Sequence, residues 1–531
     1  MTPGRLAVVC LTMRGVLREG DVDPSGDPGG GQPERAAVEQ ARPWKFSSRE
    51  MMTSRVLIAV LVLLGAGAAF PARAPAGSID DVIDREMAAS GAPGLAYAVV
   101  TDGDITEVGA RGVLRRGGDD KVTPDTPFLT GSISKSFTAL SVMQLVEAGK
   151  VDLDGPVSDY LDIFSGRPSG AITIRQLLSH TSGFSTLQGN SSRADVTGGP
   201  DELARRVERL ADVTPDHAAG QTWEYSNANY EILGRVIEVV SGQQFQSYVG
   251  ENILDPVGME NSFVADGAIH ESMATGHRPW FGTKRPLSDN RTDRGTAPQG
   301  GIVASANDLA RYLEMMMNGR DDVLSAAGKV EMMRPASSAS PYYGLGWFVD
   351  PADATVWHTG TSPGFETIAT MMPSERKGVV VLVNAGSGLG FGETASLRNG
   401  ITAKALGLDD AGTGSRLPQK ALFLSLVLLP FGYVLSMIWA WWHRAAIRAK
   451  SGAFGLFSLW FPLVTTLVAA WVIMRLVPRL FGTPIGTILT FSPDLGMALI
   501  ATAGTGVLWA LVRLGVAYTG RPAAVTGPAA R

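Results

Sequence analysis

Residues 128–148 read FLTGSISKSFTALSVMQLVEA, and this stretch decides the reading of the chain. From Ser132 to Ala148 apolar residues recur at helical spacing: Ile133, Phe137, Leu140, Val142 or Met143, then Leu145 or Val146. Gly149 follows as a C-terminal cap. Within this predicted helix Ser132-Ile-Ser-Lys135 places a hydroxyl and an amine at i and i+3, on one helical face, so the amine can reach the hydroxyl. A serine at a helix start also sits where free backbone N–H groups and the positive end of the dipole favour an oxyanion. Lysine acts as a base there only if burial or nearby cations depress its pKa. The same letters equally fit a plain N-cap serine with a surface lysine. A second match, Ser374-Glu-Arg-Lys377, lies in a polar loop and reads as a solvated turn.

Working outward, two further short patterns carry chemistry. Tyr225-Ser-Asn227 is the only Tyr-x-Asn in the chain and precedes a predicted helix, Asn229–Val240. A phenol and a carboxamide two residues apart offer a proton-transfer group and a contact for a substrate amide; they also fit a helix cap beside a core tyrosine. His358-Thr-Gly360 closes a predicted strand and is followed by Thr361. Its glycine would let substrate backbone approach, and its imidazole would supply positive charge or shuttle a proton. The alternative is a buried, hydrogen-bonded histidine. Lys450-Ser-Gly452 has the same form but lies in the tail, in a loop expected across a membrane from Ser132.

The surrounding elements suggest one α+β domain over 77–405. Ser78-Ile-Asp-Asp81 caps a helix to about Ala89, and Asp102-Gly103 turns a hairpin between 94–101 and 105–110. Late strands are expected at 343–349, 354–358, 365–372 and 378–384. A hairpin near the start and strands at the end suggest a sheet completed by both ends of the domain.

Outside this domain the composition changes. Residues 1–50 show no apolar periodicity and read as disordered. Residues 51–76 contain Arg55, the apolar run 56–70 and then small residues, the order of a secretory signal. Translation is therefore expected to start at Met51 or Met52, with an uncleaved anchor as the alternative. A polar linker, 406–420, leads to a tail, 421–531, with three apolar stretches at 421–442, 454–474 and 495–518. The first is about 33 Å long as a helix, enough to span a hydrocarbon core. The tail carries eight Lys or Arg against one acid, Asp494. Arg444, Arg448 and Lys450 lie between the first two stretches, and Arg513, Arg521 and Arg531 at or after the end of the third. The positive-inside rule puts the 443–453 loop and the C-terminus in the cytoplasm, and the 77–405 domain outside.

Composition narrows the function classes. The 531-residue chain is 45% hydrophobic and 18% charged with a formal net charge of −5, which gives no footprint for nucleic acid. The single cysteine, Cys10, rules out internal disulfides and iron–sulfur clusters, and the six histidines show no i, i+4 pair. A metal-free chemistry without cofactor is expected, on a small-molecule or peptide substrate, with the bilayer as a partner and no protein partner readable.

Taken together and in order, five blocks resemble the class C β-lactamase-related serine hydrolases, a family of β-lactamases, D,D-peptidases, D-amino-acid peptidases and esterases. They are Phe128-LTGSISKSFTAL-140, Ile174-RQLLSHTSGF-184, Trp223-EYSNANYEILG-234, Pro298-QGGIVASANDLARY-312 and Trp357-HTGTSPGF-365. The resemblance covers about residues 78–390 and implies an antiparallel sheet flanked by helices, with a helical subdomain. It also implies catalytic roles for Ser132 as acylated nucleophile, Lys135 as base or relay, Tyr225 as proton carrier, and His358. Asn227 and Gly360 would meet substrate, and the N–H groups of Ser132 and Thr361 would form the oxyanion hole. One departure stands out: β-lactamases of this family usually have Lys where this chain has His358. A neutral imidazole pairs poorly with a drug carboxylate, so esterase or peptidase turnover is expected ahead of β-lactam hydrolysis.

Overall fold

The computed structural model describes residues 77–191, 199–409 and 415–519. The expected signal segment, Cys10, Arg521 and Arg531 lie outside them. Helix α1 (Ile79–Ser90) starts with a reciprocal capping box between Ser78 and Asp81, as the sequence suggests, and ends on Gly91 in the left-handed conformation. It leads into the hairpin β1 (Gly94–Thr101) and β2 (Asp104–Gly112). Next come α2 (Ser134–Glu147), α3 (Asn227–Ser241) and α4 (Ala306–Met317). The late strands are β3 (Phe348–Asp350), β4 (Thr355–Ser362), β5 (Phe365–Met372) and β6 (Lys377–Val383), followed by α5 (Ala395–Leu406).

These six strands form one antiparallel sheet in the order β2-β1-β6-β5-β4-β3, so the two ends of the domain meet at the β1–β6 pair. Side-chain alternation sends Ala96, Ala98, Val100, Val380 and Leu382 to the large core beneath α2 and α4. Leu95, Tyr97, Val99, Val379, Val381 and Val383 face the opposite way, onto α1 and α5. Because both faces are covered, β6 reads as a continuous apolar run rather than an alternating one.

Three expectations need correction. The strand expected at 343–349 shrinks to Phe348–Asp350. Tyr343, Leu345 and Trp347 are all fully buried, which mimics strand alternation, but Gly346 adopts φ +81° and lies against the carbonyl of Lys135. The segment therefore loops over α2 instead of pairing. The strand expected to end at His358 runs on to Ser362, turning through Pro363-Gly364 into β5, so His358 is mid-strand. Helix α2 is not one-sided: every residue from Ser134 to Met143 is buried. Its polar members are satisfied internally, with Thr138 donating to the Pro298 carbonyl and Ser136 to that of Ile133.

The tail forms three helices long and apolar enough to cross a membrane. They are α6 (Leu417–Trp442), the run that begins with α7 (Gly452–Trp471) and continues helically to Leu480, and α9 (Pro493–Tyr518). The second is longer than expected, so Arg475 and Arg479 sit within its last turns. A short helix that the sequence reading did not foresee, α8 (Ile485–Phe491), joins the second and third. Part of the expected linker, 410–414, lies outside the described residues; the rest is short, and Arg416 pairs with Glu393 at 2.7 Å.

Candidate active site

The 3-10 turn Gly131–Ile133 carries Ser132 into the start of α2. Gly131 has φ +58°, and a Cβ there would stand 2.7 Å from the Thr361 nitrogen; one on Gly360 would stand 1.8 Å from the Thr130 carbonyl oxygen. Only glycines let the serine turn and β4 approach this closely. The turn is pinned from behind as well. Thr130 donates to the Ile302 carbonyl at 2.8 Å, Ser134 accepts from the Ile302 amide at 2.8 Å, and Thr367 donates to the Thr130 carbonyl at 2.7 Å. The nucleophile candidate is thus held by backbone on both sides, and the amides of Ser132 and Thr361 lie on adjoining segments.

Lys135 is fully buried. Its ammonium donates to Ser132 Oγ at 3.0 Å, Asn227 Oδ1 at 2.9 Å and the Gln299 carbonyl at 2.8 Å. It also lies over the Tyr225 ring, 4.9 Å from the centroid, and 5.6 Å from that of Tyr230. The sequence leaves a surface lysine open; the structure excludes it. Gln299 belongs to the 298–312 block, but nothing in the sequence marks its carbonyl as an acceptor for the lysine.

Tyr225 and Asn227 reach the site from the loop that starts α3. His180 organises that loop from below. Fully buried and at φ +58°, it accepts the Ser226 amide on Nδ1 at 3.1 Å, and its ring packs 4.3 Å from that of Tyr225. Burial, with Lys135 and His358 adding repulsion, holds its pKa well below the usual histidine range, so the ring is neutral. Asn227 is already engaged: Oδ1 on Lys135, and Nδ2 on Asn190 Oδ1 at 2.9 Å. Asn190 has no motif and was not a candidate.

His358 faces the same cavity and is buried and hydrogen-bonded, one of the two alternatives the sequence leaves open. Nδ1 donates to the Thr359 carbonyl at 2.7 Å, which leaves Nε2 to accept from the Tyr343 hydroxyl at 3.2 Å. Desolvation and the nearby Lys135 push its pKa down to about 3. It is neutral at any physiological pH and presents no cation to a substrate carboxylate. Lys377 of the second Ser-x-x-Lys match opens β6 and pairs at 2.7 Å with Glu375 in the turn before it.

Ser132, Tyr225, Asn227, His358 and Thr361 line one cavity of about 480 Å³, a volume suited to a small substrate. Gly360 lies between two of its lining residues, Thr359 and Thr361. Among the described residues no cluster of His, Cys, Asp or Glu is arranged to hold a metal ion.

The beta-lactamase family model matches residues 79–404, more than half of the chain. The chain belongs to the beta-lactamase family. The match takes in every candidate residue around Ser132 and stops short of the membrane helices. Among curated relatives of this family, penicillin-binding protein 4 of Amycolatopsis lactamdurans is 32% identical over 323 residues, covering 56% of this chain and 82% of that protein. The octameric penicillin-binding protein homologue from Pyrococcus abyssi aligns with TM-score 0.55 and 26% identity over 66% of this chain and 81% of its own. EstCE1, a hydrolase with promiscuous acyltransferase activity, aligns with TM-score 0.54 over 66% of this chain and 99% of its own; at 20% identity it shows the fold alone. The chain is thus a member of a beta-lactamase-fold family of serine hydrolases, with penicillin-binding proteins among its relatives.

Proposed function

We propose that this protein is a membrane-anchored serine acyl hydrolase, facing away from the cytoplasm, that acts on an ester or amide through an acyl-Ser132 intermediate. One observation carries the reading: a buried lysine 3.0 Å from Ser132 Oγ whose other two hydrogen bonds go to fixed acceptors. In the first step Lys135, entering as the neutral amine, takes the proton of Ser132 Oγ as that oxygen bonds to the substrate carbonyl carbon, and the proton passes on through Tyr225 to the leaving oxygen or nitrogen as the old bond breaks. The Ser132 and Thr361 amides would hold the oxyanion, each such donor contributing about 2.7–4 kcal/mol to the transition state. Water, losing its proton to the same groups, then cleaves the acyl-serine. The neutral His358 favours esters or peptides over β-lactams, because a drug carboxylate would meet an uncharged ring.

The test is covalent labelling of the purified full chain with a fluorophosphonate and a fluorescent penicillin, wild type beside Ser132→Ala. We expect fluorophosphonate labelling that the substitution abolishes, and p-nitrophenyl acetate turnover well above nitrocefin turnover. Absence of labelling on folded wild-type protein would instead favour a ligand-binding protein, and nitrocefin hydrolysis far above ester hydrolysis would reverse the substrate ranking.

A further inference from the structure

The cavity at Ser132 is not built by the hydrolase domain alone. Its far wall is Thr483, Thr487, Ile488, Phe491, Ser492 and Leu495, from the segment joining the last two membrane helices and the first turn of α9. This segment is fastened to the domain. Asn190 Nδ2 donates to the Gly482 carbonyl at 2.8 Å, the Arg278 guanidinium to that of Thr490 at 3.3 Å, and the Phe281 amide to Asp494 at 3.0 Å. Through Asn190 it is one hydrogen bond from Asn227, and through Asn227 one more from Lys135. The apolar side chains of Ile488, Phe491 and Leu495 face Phe348 and Tyr225 across the cavity. Leu495 already belongs to a helix long and apolar enough to span the bilayer. The apolar residues of this wall therefore connect the cavity at Ser132 to a helix able to cross the membrane.

We infer that the substrate is an amphiphile taken from the bilayer: a carbonyl compound whose scissile bond reaches Ser132 while an attached alkyl chain lies along Ile488, Phe491 and Leu495. The inference rests on the acyl-hydrolase reading above and names the substrate class that reading leaves open. Relative to an ester free in water, each methylene held in the bilayer or along the groove favours association by about threefold, and the groove keeps the chain out of water while the scissile bond is at Ser132.

The test uses the full chain in phospholipid nanodiscs with two ester series, one lengthening the acyl chain of p-nitrophenyl esters, the other the alkyl chain on the leaving-group side. We expect kcat/KM to rise about threefold per added methylene from two to eight carbons in at least one series. In Ile488→Ser and Phe491→Ser the ratio of octanoate to acetate turnover should fall about tenfold. A decyl fluorophosphonate with a terminal diazirine, independent of any variant, should bond to Ser132 and on irradiation crosslink within 483–495. Flat profiles in both series, an unchanged ratio in the variants, or crosslinks confined to the hydrolase domain would each overturn the inference. All three leave the acyl-hydrolase reading standing as long as acetate turnover depends on Ser132. Loss of that dependence removes the reading itself.

Discussion

Lys135 shows how a single buried cation can order a site. Its ammonium donates to Ser132 Oγ, the Gln299 carbonyl and Asn227 Oδ1, and Asn227 is itself held by Asn190. Replacing it by Met keeps the volume but leaves the Gln299 carbonyl and Asn227 Oδ1 without their donor, at about 1–3 kcal/mol each. The Lys135→Met variant should lose about 10²–10⁴-fold in acylation, measured as the fluorophosphonate labelling rate, with its circular dichroism retained. His358 gives a second test. Its folded pKa, about 3, lies below the unfolded value near 6.5, so the unfolded chain binds more protons between those limits. The stabilising effect is complete above about pH 6.5 and is lost progressively as pH falls toward 3. His358→Gln should therefore weaken the fall in melting temperature between pH 7.5 and 4.5, read by differential scanning fluorimetry. An unchanged slope would show that the ring titrates freely.

At the scale of elements, the catalytic geometry depends on the contact between the Gly131 turn and β4. Gly131→Ala adds a methyl group 2.7 Å from the Thr361 nitrogen on backbone already at φ +58°. It should cut acylation by about 10²–10³-fold, the usual cost of misplacing an oxyanion donor, and lower the melting temperature modestly. Gly360→Ala, whose Cβ would overlap the Thr130 carbonyl, should be the more destabilising of the two in the same melting assay. These elements were unequally legible. The α1 capping box and the 94–101 hairpin depend on neighbouring residues and were readable from them. The segment 343–349 was misread because large apolar residues alternate with glycines along it at strand period, while the left-handed Gly346 that breaks the strand is set by its packing against α2, which is distant in sequence.

For the whole molecule, the direction of the three membrane helices follows from the domain to which they are tied. Helix α6 begins beside that domain, and the α8 segment returns to it, so the 443–451 loop and the end of α9 lie together on the far side. There Trp460 donates to Tyr518 at 3.0 Å and Arg448 to the Val516 carbonyl at 3.2 Å. The proposed topology puts the basic residues of that loop in the cytoplasm, so a cysteine at Ser451 in a Cys10→Ser background should resist a membrane-impermeant maleimide on intact cells. One at the exposed Ser338 should react; the reverse pattern would invert the topology.

Short-range chemistry was open to reading from the sequence alone. Ser132 and Lys135 share a helical face because 3.6 residues make a turn, Tyr225-Ser-Asn227 precedes its own helix, and three apolar stretches are long enough for a bilayer whatever surrounds them. What tertiary structure alone decided are the contacts between separate segments, most of them well over a hundred residues apart: Gln299 on Lys135, Asn190 on Gly482, and the α8 wall across from Ser132, with Tyr343 reaching His358 over a shorter span. Burial, which sets the charge of His358 and the engagement of Lys135, is a property of the packed chain. No periodicity records which distant backbone carbonyl will face a given side chain, or that a membrane hairpin will return to complete the cavity.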